Sequence, residues 1–372
     1  MTVTTEKDLD QQRAEFQRCY SRAENLAAQG DYHAARTEYD KLLRDADRVG
    51  PVLLAQIHND LGFINFIAGE IDEARADFKR ALAVDPFCKE AHENCRRLDE
   101  LVHGHLSDGE VESCLRGFYG DNASAMDYIM VHLRRFTDTL NFLPKASEGM
   151  RLLELGANTL FSPLLPRFTA YQVSHGDYWG GRKEQRQFQL SSSDGAEVLS
   201  MDVLNFDAEK DPFPFPDSTF DVVLACEIIE HLPNDPMHTL IECNRVLKTG
   251  GRVVLTTPNI TSYRSLNAIL NGYPPYIYNK FSSNNGGRHV KEYAPGEFEV
   301  ILPKAGFAVE ALETRNVWVD AEPGVSYWNM YRSMHNILKS LGSPLKLRGE
   351  DIFVTGVKRG TPKERYPVEF YD

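Results

Sequence analysis

Glu227, Glu230 and His231 follow directly on the apolar run 220–226. Carboxylates accept hydrogen bonds, and an imidazole with an ordinary pKa of about 6.5 can take a proton near neutral pH. A second histidine, His289, stands inside Arg288-His289-Val290-Lys291-Glu292-Tyr293 after a Gly-rich stretch. Earlier in the chain, the apolar run 151–155 ends at Glu154-Leu155-Gly156. A glycine at a strand end lets backbone come close to a ligand, so the pattern reads as a buried strand turning under a nucleotide-type site.

The elements that must position these groups follow from periodicity. Apolar strands are expected at 151–155, 171–177, 197–202, 220–226, 252–257, 307–314 and 351–357, with helices at about 121–140, 236–247, 295–305 and 327–341. Strands separated by helices imply βαβ units, a mostly parallel seven-stranded sheet with helices on both faces, and a ligand at the carboxyl ends of the strands.

The chain has 372 residues, 42% hydrophobic and 10% aromatic, which is ample for a core and too long for one average domain. Its net charge of -13 opposes a broad phosphate-backbone footprint, so nucleic acid is not an expected partner. Six cysteines with no Cys-x-x-Cys pair suit free thiols in a reducing compartment. The amino-terminal residues are polar and no apolar stretch approaches the ~20 residues of a membrane span. A cytoplasmic protein is the expectation. No cluster of acids and histidines stands at metal-ligand spacing along the chain, so no metal is expected.

Residues 10–104 read as nearly continuous helix with an internal repeat. Gly30 is followed by Tyr32, Ala35, Tyr39 and Leu42, and Gly69 by Ile71, Ala74, Phe78 and Ala81 at the same offsets. Leu61-Gly62, Ala74, Phe78 and Pro86 resemble the tetratricopeptide (TPR) pattern, with Asn65 and His58 as departures from it. A plain helical cap is the competing reading. Residues 105–120, with Gly104, Gly109, Gly117 and Gly120 breaking any long helix, read as a linker; residues 121–360 form the second domain and 361–372 a tail.

Within that second domain, Glu154-Leu155-Gly156, the run 213–221, Glu227-Ile228-Ile229-Glu230-His231-Leu232 and the run 245–251 occur in order. Together they resemble the class I S-adenosylmethionine-dependent methyltransferases, a Rossmann-like α/β fold. The ending Thr256-Thr257-Pro258-Asn259 and the stretch 288–293 are similar to members of polysaccharide and glycoconjugate pathways. The resemblance implies S-adenosylmethionine as cofactor and a sugar or glycoconjugate hydroxyl as acceptor. It places the cofactor against Glu154, Gly156, Asn158 and Glu227, its ribose on Asp177, and its adenine on Val203 with either Asp202 or Asp207. Asn158 and Leu160 depart from the family's repeated glycines.

Methyl transfer is an in-line displacement in which positioning supplies most of the rate. His231, His289 and Glu227 are the catalytic candidates, His231 as general base and His289 as closure of a Tyr-rich acceptor lid at 272–287. A protein methyltransferase that docks its target through the repeats, or a scaffold with a degenerate pocket, are the alternatives. A protein partner or self-association through the repeats is expected in either case.

Overall fold

The computed structural model describes residues 6–181, 184–275, 289–318 and 327–371. The chain divides into two compact units, Met1–His105 and Leu106–Asp372. The Tyr-rich lid expected at 272–287 falls largely on residues 276–288, outside the described residues.

The first unit is all helical. Helices α1 (Glu6–Ala28) and α2 (Tyr32–Arg44) pack as a pair, α3 (Pro51–Ile67) and α4 (Ile71–Val84) as a second, and α5 (Lys89–His103) closes on the second pair. Gly30 and Gly69 occupy equivalent turns with φ of +82° each, a conformation that costs glycine nothing. Ala35, Tyr39 and Leu42 of α2 are buried, as are Ala74, Phe78 and Ala81 at the same offsets of α4. A Cβ on Gly62 would lie 2.6 Å from the Phe78 ring, so α3 and α4 approach as closely as a small residue there permits.

The second unit opens with helix α6 (Asp108–Tyr119), which overturns the linker reading of 105–120. Ser107 and Glu110 form a reciprocal capping box at its start, and Val111, Leu115 and Tyr119 are buried against the next helix, α7 (Ala123–Phe142). Two of the four glycines punctuate helices rather than abolish them: Gly104 ends α5 in a left-handed conformation and Gly120 ends α6. Gly109 lies in the first turn and Gly117 is solvent-exposed, where each costs only about 1 kcal/mol.

The sheet has eight strands, β1 (Arg151–Leu155), β2 (Gln172–Asp177), β3 (Gln185–Ser191), β4 (Val198–Asn205), β5 (Phe220–Cys226), β6 (Leu247–Pro258), β7 (Phe307–Arg315) and β8 (Asp351–Lys358). Their order is β3-β4-β2-β1-β5-β6-β8-β7. The five strands from β4 to β6 are parallel, while β3, β8 and β7 pair antiparallel. The sheet is therefore mixed, not the seven-stranded, mostly parallel one expected. The extra strand, β3, escaped the sequence reading because its Gln-Arg-Gln-Phe-Gln-Leu-Ser pattern has no apolar run and lies at an edge.

Alternation along the central strands builds two cores. Leu153, Leu155, Val223, Ala225, Val253 and Leu255 face α9 (Pro236–Val246) and α11 (Pro295–Lys304). Leu152, Val222, Leu224 and Val254 face α6, α7 and α8 (Leu164–Phe168) on the other side. Helices α10 (Tyr263–Leu270) and α12 (Tyr327–Ser340) pack on each other. The final residues are no free tail: Arg365 and the Tyr371 hydroxyl bind the Asp235 carboxylate at 2.6 and 2.8 Å, and Phe370 packs on the core. The chain turns outward from β1 to β2 on one side and resumes at β5 on the other, which opens a crevice at the carboxyl ends of these two strands.

Candidate active site

The crevice begins at the end of β1. The Glu154 carboxylate is buried and held at 2.7 Å by His175 Nδ1, its cross-strand neighbour on β2. Gly156 follows with φ +75°, and both its N–H and that of Ala157 donate to the Gly176 carbonyl, at 2.8 and 3.1 Å. A Cβ at Gly156 would fall 2.0 Å from Ile228 Cδ1.

Beyond it, Asn158 explains how the loop dispenses with further glycines. Its Oδ1 accepts from Leu160 N at 2.9 Å and Phe161 N at 2.8 Å, while its own N–H donates to Ser162 Oγ. This is a side-chain turn that fixes the loop without a left-handed residue. Tyr119 of α6 adds a 2.6 Å bond to the Thr159 carbonyl. Asn158→Ala should therefore lower stability by about 1 kcal/mol and weaken binding of S-adenosylhomocysteine roughly tenfold by titration calorimetry. An unchanged affinity would mean that the turn does not shape the cofactor loop.

At the end of β5, Glu227 adopts φ +55°, a conformation rare outside glycine that clusters at functional sites. Thr256 Oγ1 donates to one of its carboxylate oxygens at 2.9 Å, and Arg135 of α7 forms an ion pair with the other at 2.5 Å. Burial alone would depress the Arg135 pKa, but the charges of Glu227 and Asp351 hold it above its ordinary value. Burial and the Glu227 charge push the Glu230 carboxyl well above the usual carboxylate range, and the same two causes raise Asp351. Glu230 sits in the 3-10 turn Ile229–His231 and accepts from Thr257 Oγ1 at 2.8 Å.

His231 and His289 meet at this corner, ring centroids 4.9 Å apart and edge-on. The backbone N–H groups of Val290 and Lys291 donate to the Glu230 carbonyl and carry His289 there. His231 and His289 line a cavity of about 540 Å³ whose wall also includes Glu154, Gly156, Asn158, Glu227 and Ile228. Part of its lining is aromatic, the contacting rings of Tyr128, His132, Phe136, Phe161 and Trp318. Burial, with Arg135 adding to it, pulls His132 down to about 3, so its ring is neutral at physiological pH. Trp318 Nε1 donates to His132 Nδ1 at 3.3 Å, which places the ring proton on Nε2. Glu350 accepts from Trp318 N at 2.8 Å and fixes that part of the lining.

Six of the residues singled out from sequence thus converge: Glu154, Gly156, Asn158, Glu227, His231 and His289. Asp177, Asp202 and Val203 are not on this cavity's wall. Asp177 ends β2 one step past Gly176, at the same edge as the Gly156 loop, and its carboxyl is raised by burial. Asp202 is a correction to the expected adenine acid. In register Asp177 lies beside Asn205, so Asp202 is three residues, about 10 Å, below the strand end, exposed and bonded to Gln187. Val203 is buried behind the loop against Ala157 and Met201. The rival Asp207 carboxylate is engaged by Glu209 N and Lys210 within its own turn. The strand continues past Asp202 because Val203 and Asn205 are themselves buried, which the short apolar pair Val203-Leu204 did not reveal.

Arg135, His132, His175 and Trp318 were not identified from sequence. Arg135 and His132 interrupt an apolar helical pattern, and that is the only local signal they leave.

A family model described as a methyltransferase domain matches residues 153–255, from β1 to within β6. The chain is 28% identical over 145 residues to the 27-O-demethylrifamycin SV methyltransferase of Amycolatopsis mediterranei, covering 39% of this chain and 50% of that one. It is 29% identical over 140 residues to a ubiquinone biosynthesis O-methyltransferase of Cereibacter sphaeroides, covering 37% and 53%. The match thus spans about half the length of these curated relatives. A solved SAM-dependent methyltransferase of Thermotoga maritima superimposes with 18% identity and a TM-score of 0.40, over 66% of this chain and 99% of that one. Among the described residues no helix is long and apolar enough to cross a membrane. With a glycine loop and acidic strand ends gathered at the switch point of this sheet, residues 153–255 carry a class I S-adenosylmethionine-dependent methyltransferase domain.

Proposed function

We propose that the chain transfers a methyl group from S-adenosylmethionine to a hydroxyl of a sugar or glycoconjugate in the cytoplasm. The observation that carries this reading is one cavity, partly lined by aromatic rings, that joins the Glu154–Gly156 loop to the His231–His289 corner. Glu154, fixed by His175, offers a carboxylate to the cofactor's ammonium group, and Asp177 offers one to its ribose. The flat faces of Tyr128, Phe136 and Trp318 suit the apolar face of a sugar ring, with His132 Nε2–H as a directed donor. The acceptor oxygen then lies toward His231 and His289, where its proton must leave as the oxygen–methyl bond forms. Two of the relatives bear names that specify methylation at oxygen, which supports a hydroxyl acceptor.

The repeated offsets after Gly30 and Gly69 and the Gly62–Phe78 approach support a TPR-like array in the first unit. Phe63, Ile67 and Leu101 are exposed on it, which favours a protein partner or a second copy docking there. Calorimetric titration of the full chain with S-adenosylmethionine and S-adenosylhomocysteine should give micromolar binding of both, about 8 kcal/mol. No heat and no thermal shift with either ligand would remove the methyl-transfer reading and leave a scaffold.

A further inference from the structure

We propose that Glu230, His231 and His289 form a binding site for one divalent transition-metal cation at the inner corner of the active-site cavity. Their ligand atoms all lie within 4.8 Å of one another. Ligands bonded at about 2.1 Å to a common metal stand about 3.4–4.2 Å apart, so closure needs side-chain movements of about 1 Å. Three features indicate a built site rather than a chance cluster.

Glu230 is wholly buried, and Thr257 anchors one of its carboxylate oxygens at 2.8 Å. The other, Oε1, has no hydrogen-bond partner among the described residues and lies 3.9 Å from His231 Nε2, too far for such a bond. A buried carboxyl oxygen without a partner requires an explanation, and a cation in that space, which would hold the group ionised, supplies one. Arg135 does not serve, because its ion pair is with Glu227.

His289 is fixed from behind. Glu292 Oε1, on a buried side chain, lies 2.7 Å from its Nδ1. A carboxylate at Nδ1 holds the ring orientation and makes Nε2 the lone-pair nitrogen, the arrangement that supports metal-bound histidines. Finally, the assembly is preorganised by backbone. Glu230 and His231 are adjacent in one 3-10 turn, and the N–H groups of Val290 and Lys291 donate to the Glu230 carbonyl at 2.8 and 3.3 Å.

One carboxylate and two imidazoles suit Zn²⁺, Co²⁺ or Mn²⁺ better than Mg²⁺ or Ca²⁺, which prefer oxygen ligands throughout. His231 and His289 line the cavity, so the cation would keep an open position toward the acceptor. Its role rests on the methyl-transfer reading. A hydroxyl bound there loses its proton to water more easily; the oxygen's electron pair forms the bond to the methyl carbon, the carbon–sulfur bond breaks, and its electrons leave sulfur as a neutral thioether. The cation then takes the place of a lone imidazole base.

The test uses the full chain, stripped with a chelator and titrated with CoCl₂ while the visible absorption is followed, then back-titrated with ZnCl₂. One equivalent of Co²⁺ with ligand-field bands, displaced by Zn²⁺, is expected, and MgCl₂ should compete at least 100-fold more weakly. His231→Ala and His289→Ala should each weaken Co²⁺ binding at least tenfold. Both lie at the cavity surface and should fold, which keeps the test decisive if Glu230→Gln does not. Substoichiometric uptake without bands, or uptake unchanged in both histidine variants, would overturn the site. S-adenosylhomocysteine titrated into the same native preparation separates the two readings: cofactor heat without metal uptake sinks the site alone. Metal uptake without cofactor heat keeps the site and sinks methyl transfer.

Discussion

Gly156→Val is expected to weaken binding of S-adenosylhomocysteine at least 100-fold, about 3 kcal/mol, while the domain still folds. Two physical effects add. The position holds φ +75°, where a residue with a Cβ is strained by about 1–2 kcal/mol and a branched one by more. The new Cβ would also meet Ile228 Cδ1 at 2.0 Å and Cγ1 at 2.9 Å, so Ile228 must swing away. Ile228 and Gly156 both line the cavity, hence either relaxation fills or reshapes the space proposed for the methionine end of the cofactor. The sheet below is indifferent to the change, because Leu153 and Leu155 keep their places in the core. Calorimetry with a circular-dichroism control measures this, and an affinity within threefold of the native protein would place the pocket elsewhere.

Arg135→Met is expected to remove about 3 kcal/mol of stability, because it leaves the largely buried Glu227 carboxylate, 16% exposed at the cavity wall, without its counter-ion. The cost is unusual for one residue since burial and the Glu227 charge already push both the Glu230 and the Asp351 carboxyls well above their ordinary range. Arg135 is the cation that keeps this acidic corner together. Adding Glu227→Gln to the variant should recover roughly half of the loss, as the amide needs no cation. Urea unfolding followed by tryptophan fluorescence reads the right unit, since Trp179, Trp318 and Trp328 all lie within Leu106–Asp372. A loss below about 1 kcal/mol would show that solvent reaches Glu227 and screens it.

The sequence by itself determined the methyltransferase domain and the strand ends that carry its loop. Buried parallel strands need apolar residues on both faces and must stop at turn-forming residues, so β1, β5 and β6 announce themselves, as do Gly156, Glu227 and His231 just beyond them. The internal repeat of the first unit was legible for the same reason, because helix pairing fixes the spacing of small and large residues. The edge strand β3 and the helix α6 were not. An exposed edge lacks the apolar run that marks a strand, and four glycines outweighed a capping box in a local reading although Val111, Leu115 and Tyr119 pack against α7.

Only the tertiary structure decided how the site is wired. His175 reaches Glu154 because two strands are in register, and Arg135 reaches Glu227 from a helix more than ninety residues earlier. Asp202 lost its place because strand length is set by burial of Val203 and Asn205, which no local pattern encodes. His289 comes to Glu230 through two backbone hydrogen bonds across fifty-nine residues of chain. Spacing along the chain carries the chemistry of single strand ends, whereas charge pairing, hydrogen-bond supply and any shared ligand depend on distances that exist only once the sheet and its helices have packed.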